Sequence, residues 1–467
     1  MLLRLYLYVQ QILVFFPILS TSASPTYPNM SHERRASQAV ATDPTSAPSL
    51  LRHQFINPSE VLSVLLIIGG DIVQKAIAQM CGGIITPVAF SFGWVSYAFN
   101  SLMSAFGDGV LMPSPDFPAY IITVSSGGKK ANESWVLSRL IRDLEKEEEK
   151  HLESWMVDGT KHSEGDSGLL ITVFEAESGA ATAKWDALSW SYLATLLLQL
   201  GVAAIPIGLN NNWTIMLITA AGSVLAIATG SLPEWRREKF GCRRNSKDTY
   251  ALTRGNGHKH VFVVQDPWDP VSDPDHEIRT NLYLEDLAGS VQAADHLTRT
   301  ISVIFTVLWI IFLITVGSAS SSSDTWYLLG VGSLGMAQNV LVAGYSRNPS
   351  AHGIPMHIVR ADPALNIEDG RKLGRKKKGM DKRPKVMNVL YEAEDMYPGL
   401  GLSLKDLFFP VGQLTKEEIA KWDEYASSLK TRRKDKREEY KSRKEQVSRV
   451  HANKHSWIGY YVPENLY

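Results

Sequence analysis

Asp71 and Lys75 stand four residues apart inside an apolar run, with Gln74 beside them and Gln79 shortly after. That spacing places both charges on one face of a helix. A charged pair at membrane depth is costly, and where one persists it serves an ion path, a proton relay or a substrate counter-ion. The competing reading is an intrahelical salt bridge, or a helix whose polar end emerges at the interface. Gln338 and Asn339 form a second polar pair within an apolar run, and Gln199 lies in a third. Hydrogen bonds between helices account for such side chains without any transport role.

Other stretches carry weaker chemistry. Arg254-Gly-Asn-Gly-His258 has glycines and bases that can cradle a phosphate. It lacks the spacing of a nucleotide-binding loop, and an Asn-Gly turn entering a strand explains it equally. The acidic, Pro-rich stretch 266–275 offers oxygen ligands without the spacing of a calcium loop. Lys372, Arg375, Lys376, Lys377 and Lys378 make a basic cluster suited to anionic lipid headgroups, to a receptor-read address, or simply to water. Asn29-Met-Ser is an acceptor for glycosylation if that segment is luminal. No catalytic triad, paired-His metal spacing or cofactor fingerprint is recognisable, so the reading leans away from an enzyme and implies no metal or cofactor.

Composition bounds the rest. The 467 residues include 48 Lys+Arg and 48 Asp+Glu, a balance that points to no nucleic-acid partner. Only two cysteines, Cys81 and Cys242, are present, which excludes a disulfide scaffold. The mean hydropathy of −0.09 is that of a soluble protein, but the apolar residues are concentrated in blocks.

A spanning helix needs about 20 mainly apolar residues. Ser189–Leu209 and Trp213–Leu232, separated only by three asparagines, predict one tight hairpin. Ile301–Val316 and Trp326–Tyr345, joined by a Ser-rich turn, predict another. Val61–Phe106 is apolar but broken by Asp71, Lys75, Gly82-Gly83 and Pro87. It predicts a third hairpin with helices near 60–80 and 84–106; one span plus a re-entrant piece is the alternative. Residues 1–25 resemble a signal peptide, an uncleaved anchor or an over-extended start.

Basic residues set the orientation. Arg236, Arg237, Lys239, Arg243 and Arg244 follow one hairpin, Arg299 precedes the next and Arg347 follows it, whereas the two tight turns carry no Lys or Arg. The basic face, with the C-terminus, is expected to be cytoplasmic. A cleaved signal peptide followed by six spans would place that face outside, so the charges favour an uncleaved N-terminal helix or a single span in Val61–Phe106. In the six-span arrangement Cys81 and Cys242 fall on opposite faces.

The loops read as folded. Tyr120–Val124, Leu169–Phe174 and His260–Val264 are short β-branched runs and predict strands; Glu133–Val157 predicts an amphipathic helix. The tail is highly charged beyond Thr415, whose Thr-Lys-Glu-Glu start suits a helix cap, and it holds too little apolar residue for a core of its own.

Several stretches, among them Leu62–Gln79, Ile85–Phe99, Leu232–Arg244, Leu252–Val261 and Leu334–Gly344, resemble a family of multi-pass membrane proteins of filamentous fungi. The resemblance spans residues from about 58 to 350 and implies architecture only, since it brings no catalytic residue with it. The expected fold is mainly α. It is a polytopic transmembrane helical bundle of about six, or seven, helices in hairpins, with a small α+β cytoplasmic unit built from the inter-hairpin loops. Its segments are 1–25 (signal-like or anchor), 26–58 (polar linker), 59–106 (first hairpin), 107–188 (α+β loop), 189–232 (second hairpin), 233–299 (basic/acidic loop), 300–345 (third hairpin) and 346–467 (basic, partly disordered tail). The function expected is that of a non-enzymatic organiser acting through loops and tail; a transporter or channel using Asp71 and Lys75 is the alternative. The expected partners are the bilayer itself, with anionic lipids or cytoplasmic proteins at the tail.

Overall fold

The computed structural model describes residues 69–107, 109–154, 168–177, 185–266, 281–289, 296–317, 322–359, 372–373, 385–410, 412–435 and 438. Asn29 and Arg375–Lys378 lie outside them, as do the N-terminal segment and most of the acidic Pro-rich stretch.

The chain is mainly helical, with one larger sheet. In order it forms α1 (Gly70–Met80), α2 (Gly93–Phe106), β1 (Tyr120–Thr123), β2 (Gly128–Ala131), α3 (Trp135–Ser154), β3 (Leu170–Ala176), α4 (Ala187–Asn210) and α5 (Thr214–Gly230). There follow α6 (Pro233–Lys239), β4 (Arg244–Ser246), β5 (Tyr250–Thr253), β6 (His260–Gln265), β7 (Asn281–Leu282), α7 (Leu284–Ala288), α8 (His296–Gly317) and α9 (Ser322–Gly344). Last come β8 (Met356–Ile358), β9 (Lys372–Leu373), α10 (Val386–Met396), α11 (Leu400–Phe408) and a further helix, α12, over 416–435.

Among the described residues, three helices are long and apolar enough to cross a membrane: α4, α8 and residues Thr325–Gly344 of α9. α5 has 17 residues and continues, after a bend of 41°, into the charged α6. Leu197, Leu217, Val224, Ile304, Ile311 and Ile314 are exposed on these helices. The predicted turn between α4 and α5 is present. Asn211 ends α4 in the left-handed region at φ 53°, and the Asn212 side chain accepts from Thr214 N–H at 3.0 Å to start α5.

The region expected to be the first hairpin is built differently. α1 and α2 have 11 and 14 residues, and the 12 residues between them are not helical. α1 ends at the sheet side of the bundle, beside Tyr345 at the end of α9. The chain then runs extended into the middle of the bundle. There the Phe90 ring packs on Gly222 at the midpoint of α5, and its carbonyl passes Gly335 of α9 so closely that a Cβ there would sit 1.7 Å from the oxygen. α2 starts at this depth, where Gly93 and Gly69 meet backbone to backbone, and carries the chain back to the sheet side. Both ends of segment 81–107 therefore lie at one end of the bundle. Cys81 and Cys242 consequently share that end: Cys81 Sγ contacts Trp235 O in α6, and Cys242 follows α6 directly.

An extended limb among helices leaves its peptide groups unpaired unless side chains reach them. Here they do. Ala89 N–H donates to Gln338 Oε1 at 3.2 Å, and Ala89 O accepts from Asn339 Nδ2 (3.2 Å) and Trp94 Nε1 (2.9 Å). Phe90 O accepts from Gln199 Nε2 at 2.8 Å, and Thr86 N–H donates to Ser231 Oγ at 3.2 Å. Phe90, Trp309 and Phe312 close the limb in with edge and stacked ring contacts at 5.4–6.4 Å.

The three predicted strands all form and join one sheet, in the order β2-β1-β5-β6-β3-β8, with β9 also on β3. β3 and β6 pair in parallel and the other pairs are antiparallel. Loops before and after the α4–α5 hairpin thus contribute to one unit. Side chains alternate between its faces. Ile121, Phe174, Leu252 and Phe262 share one continuous core with the helical bundle and α3. Ile122, Val173, Ala251 and Val263 pack instead against α10, α11 and Trp422 of α12. The tail therefore has a core after all, borrowed from the outer face of the sheet. The cap at Thr415 is as predicted: Thr415 N–H donates to Glu418 Oε2 at 2.9 Å, and Glu418 N–H donates to Thr415 Oγ1 at 3.3 Å.

Candidate functional site

The short helix α6 follows the bend after α5, with Pro233 in its first turn, and buries Glu234, Trp235, Glu238 and Lys239 between bundle and sheet. Lys239 is fully buried, and its Nζ donates to the carbonyls of Ala78 (3.0 Å), Gln79 (3.0 Å) and Cys81 (2.8 Å). These are the unpaired acceptors at the C-terminus of α1, where a cation is also favoured by the helix dipole. Burial lowers the Lys239 pKa to about 8. Glu238 faces the other way. Its carboxylate accepts from Leu111 N–H at 2.9 Å and Met112 N–H at 2.7 Å, in the chain leaving α2. Burial pushes its pKa up to about 7, against the pull of those two amides.

A buried ionic cluster continues from this point. Arg347 bonds Asp186 Oδ2 through Nε at 2.7 Å and Gln79 O through Nη1 at 2.5 Å. Asp143 of α3 accepts from Arg347 N–H and lies 2.9 Å from His352 Nε2. Burial lowers the His352 pKa to about 4, opposed by Asp143, whose own pKa is lowered by His352 and by the Arg347 amide against the cost of burial. Arg139 and Arg142 of α3 donate to the carbonyls of Ala343 (2.8 Å) and Tyr345 (3.2 Å), capping α9 as Lys239 caps α1. Each partner comes from a different element, so the cluster fixes α1, α3, the start of α4 and the loop after α9 relative to one another.

A cleft of about 1020 Å³ opens beside α6. Its walls include Asp71, Gln74 and Lys75 of α1, Pro113–Pro115, the start of α3 at Glu133–Trp135, and Glu238. Asp71 and Lys75 are exposed, and no ion pair joins them among the described residues. Gln74 Nε2 donates to Leu111 O at 2.8 Å, tying α1 to the same strand of chain that Glu238 holds. Asp71, Gln74 and Lys75 thus come together on a wet surface at the bundle–sheet junction. Gln338 and Asn339 do not join them; both are spent on the extended limb. The glycine-rich Arg254–His258 stretch is the turn into β6, with Gly255 and Gly257 at φ 95° and 92°, and Arg254 pairs with Glu145 at 3.1 Å. Lys372 lies in β9 opposite Thr172.

Asp143, Asp186, Glu238 and His352 escaped the sequence reading, and Lys239 and Arg347 entered it only as orientation charge. For Glu238 and Lys239 the signal was local: the charged Pro-Glu-Trp-Arg-Arg-Glu-Lys run after an apolar span, in which nothing reveals a buried partner. No family model, curated protein or solved structure matches the chain.

Proposed function

We propose that this is a multi-pass integral membrane protein that acts as a non-enzymatic organiser, holding its sheet unit in a fixed pose on the cytoplasmic face. The observation that carries this reading is the continuous core joining bundle and sheet, reinforced by the buried Asp143–Arg347–Asp186 cluster. A unit tethered by linkers could report only proximity, whereas one packed on the spans presents its surface at a defined height and angle. The intramembrane amides support the same reading, because Gln199, Gln338 and Asn339 are engaged in packing.

The topology that fits is a first crossing ending in α1, a re-entrant segment over 81–107, and four further crossings by α4, α5, α8 and α9. It agrees with the positive-inside pattern: the basic residues flank the sheet side, and the N-terminus falls on the opposite face. Asn29 is then luminal, which glycosidase-sensitive mobility of the full chain would reveal. The resemblance to fungal multi-pass membrane proteins is consistent with this arrangement.

Affinity capture from native membranes with the full chain and with a chain ending at residue 435, which retains the packed helices, tests the organiser reading. Loss of partners on truncation is expected; an unchanged set would remove the tail from the reading. The cleft at Asp71 and Lys75 favours a second reading, transport. An Asp71→Asn variant that folds normally but abolishes a flux in proteoliposomes would replace the first reading with the second.

A further inference from the structure

A small cavity of about 160 Å³ lies where α1 meets the end of α5, lined among others by Gly82, Gly83, Thr86, Ser231 and Arg236, with no Asp or Glu. Three features of it belong together. First, the backbone N–H groups of Gly82, Gly83 and Ile84, which line it, have no acceptor among the described residues, nor has that of Ile85 next to them. Such consecutive free amides, with Gly82 at φ 125°, suit an anionic oxygen. Ser231 Oγ accepts from Thr86 N–H, which leaves its own proton free to donate. Second, the Arg236 guanidinium at the rim is exposed and has no acidic partner among the described residues, although Glu234 and Asp286 pair with its neighbours Arg237 and Arg243. The carbonyl end of α1 nearby would repel an anion, but Lys239 caps it from beneath. Third, Ile84 is 91% exposed and Ile85 51%, on the outer rim of the same turn. Trp190 and Leu297, both largely exposed, stand at the starts of α4 and α8 on this side of the bundle, as interfacial side chains do.

An anion-seeking hollow bordered by projecting aliphatic side chains matches one kind of molecule. We infer that the Gly82–Ile85 turn and Arg236 bind a glycerophospholipid. The phosphate sits in the hollow on the free amides and the guanidinium, and the acyl chains run along Ile84 and Ile85. The site gives the re-entrant segment a lipid contact at its entrance, between the Lys239 cap and the limb. The inference rests on the membrane reading proposed above.

The test uses the full chain purified in detergent, with short-chain phosphatidic acid as the probe and binding read by native mass spectrometry. Inorganic phosphate and a diacylglycerol of equal chain length serve as the two half-ligands. Arg236→Gln is expected to weaken phosphatidic acid binding about tenfold, the worth of one charge-assisted hydrogen-bonded contact. Ile84→Ser, at a position with no packing to lose, should weaken phosphatidic acid and leave any phosphate binding as it was. Equal affinity for inorganic phosphate and phosphatidic acid would overturn the lipid assignment. If the wild-type chain stays in membranes through alkaline carbonate extraction and Arg236→Gln binds like wild type, the site is wrong while the membrane reading survives. Release of the chain by carbonate would remove both.

Discussion

Glu238 and Lys239 are adjacent in sequence and hold opposite ends of the same segment: Lys239 Nζ lies 2.8 Å from Cys81 O, where the chain enters the bundle, and Glu238 lies 2.7 Å from Met112 N, where it has come back out. On a helix, successive side chains point about 100° apart, so two neighbours can serve two strands of chain that flank the helix. α6 is in this sense a clip across the mouth of segment 81–107, and it is itself anchored to the end of α5 by Pro233 and the buried Trp235.

Lys239→Met keeps the aliphatic stem but leaves the Ala78 and Cys81 carbonyls without their cation, while Gln79 O keeps Arg347. Each buried acceptor left unpaired costs about 1–3 kcal/mol. The loss is expected to lower the melting temperature of the solubilised protein markedly, and to do so more than Lys75→Met in the exposed wall of the cleft. Equal melting temperatures for the two variants would rule out the capping role.

Two contributions to the pH dependence have opposite sign and overlap between pH 4.5 and 6.5. The Glu238 pKa is raised from 4.5 to about 7, so the folded chain holds a proton that the unfolded chain has lost, and stability falls as pH rises across that interval. The His352 pKa is lowered from 6.5 to about 4, so stability falls as pH drops from 6.5 towards 4. Glu238→Gln, which can still accept from Leu111 N–H, removes the falling contribution and should leave stability rising with pH from 4 to 6.5. Denaturation followed from pH 4 to 8 checks this; a variant with the wild-type profile would mean that another group is responsible for the fall.

Gly335→Ala places a methyl 1.7 Å from the Phe90 carbonyl, and backbone stands on both sides of the clash. Overpacking of a tight core typically costs about 1–3 kcal/mol, and here the limb has no rotamer to yield. Gly344→Ala, in the same helix with nothing within 4 Å of the added atom, is the matched control. Gly335→Ala should aggregate or melt early while Gly344→Ala behaves as wild type; similar behaviour of the two would mean that the limb does not run where described.

Trp422 is the main buried side chain of α12, 4.9 Å from the Tyr391 ring of α10. Trp422→Ala removes a contact worth about 3–5 kcal/mol in a packed core. The outer helices are expected to detach before the rest of the fold. Limited proteolysis should then cut within 416–435 in the variant at protease levels that spare the wild type, and matching digestion patterns would count against the tail being docked.

Local sequence patterns determined much of this protein. The apolar blocks 189–209, 213–232, 301–316 and 326–345 became helices because length and hydropathy are properties of consecutive residues, and the Asn turn at 210–212 and the Thr415 cap act within a few residues. The β-branched runs at 120, 170 and 260 became strands for the same reason. Tertiary structure decided what no local pattern holds. The run from Gly82 to Phe92 is apolar without a distinguishing period, so it reads equally as helix or as extended chain. It is extended because Gln199, Gln338, Asn339 and Ser231, more than 100 residues away, supply the hydrogen bonds that a helix would have made for itself. Asp71 and Lys75 likewise became the wall of a cleft and not a buried pair, because α1 turns that face to the junction. The charges that are buried, Lys239 and Arg347, sit beside carbonyls and carboxylates that only the folded chain brings to them.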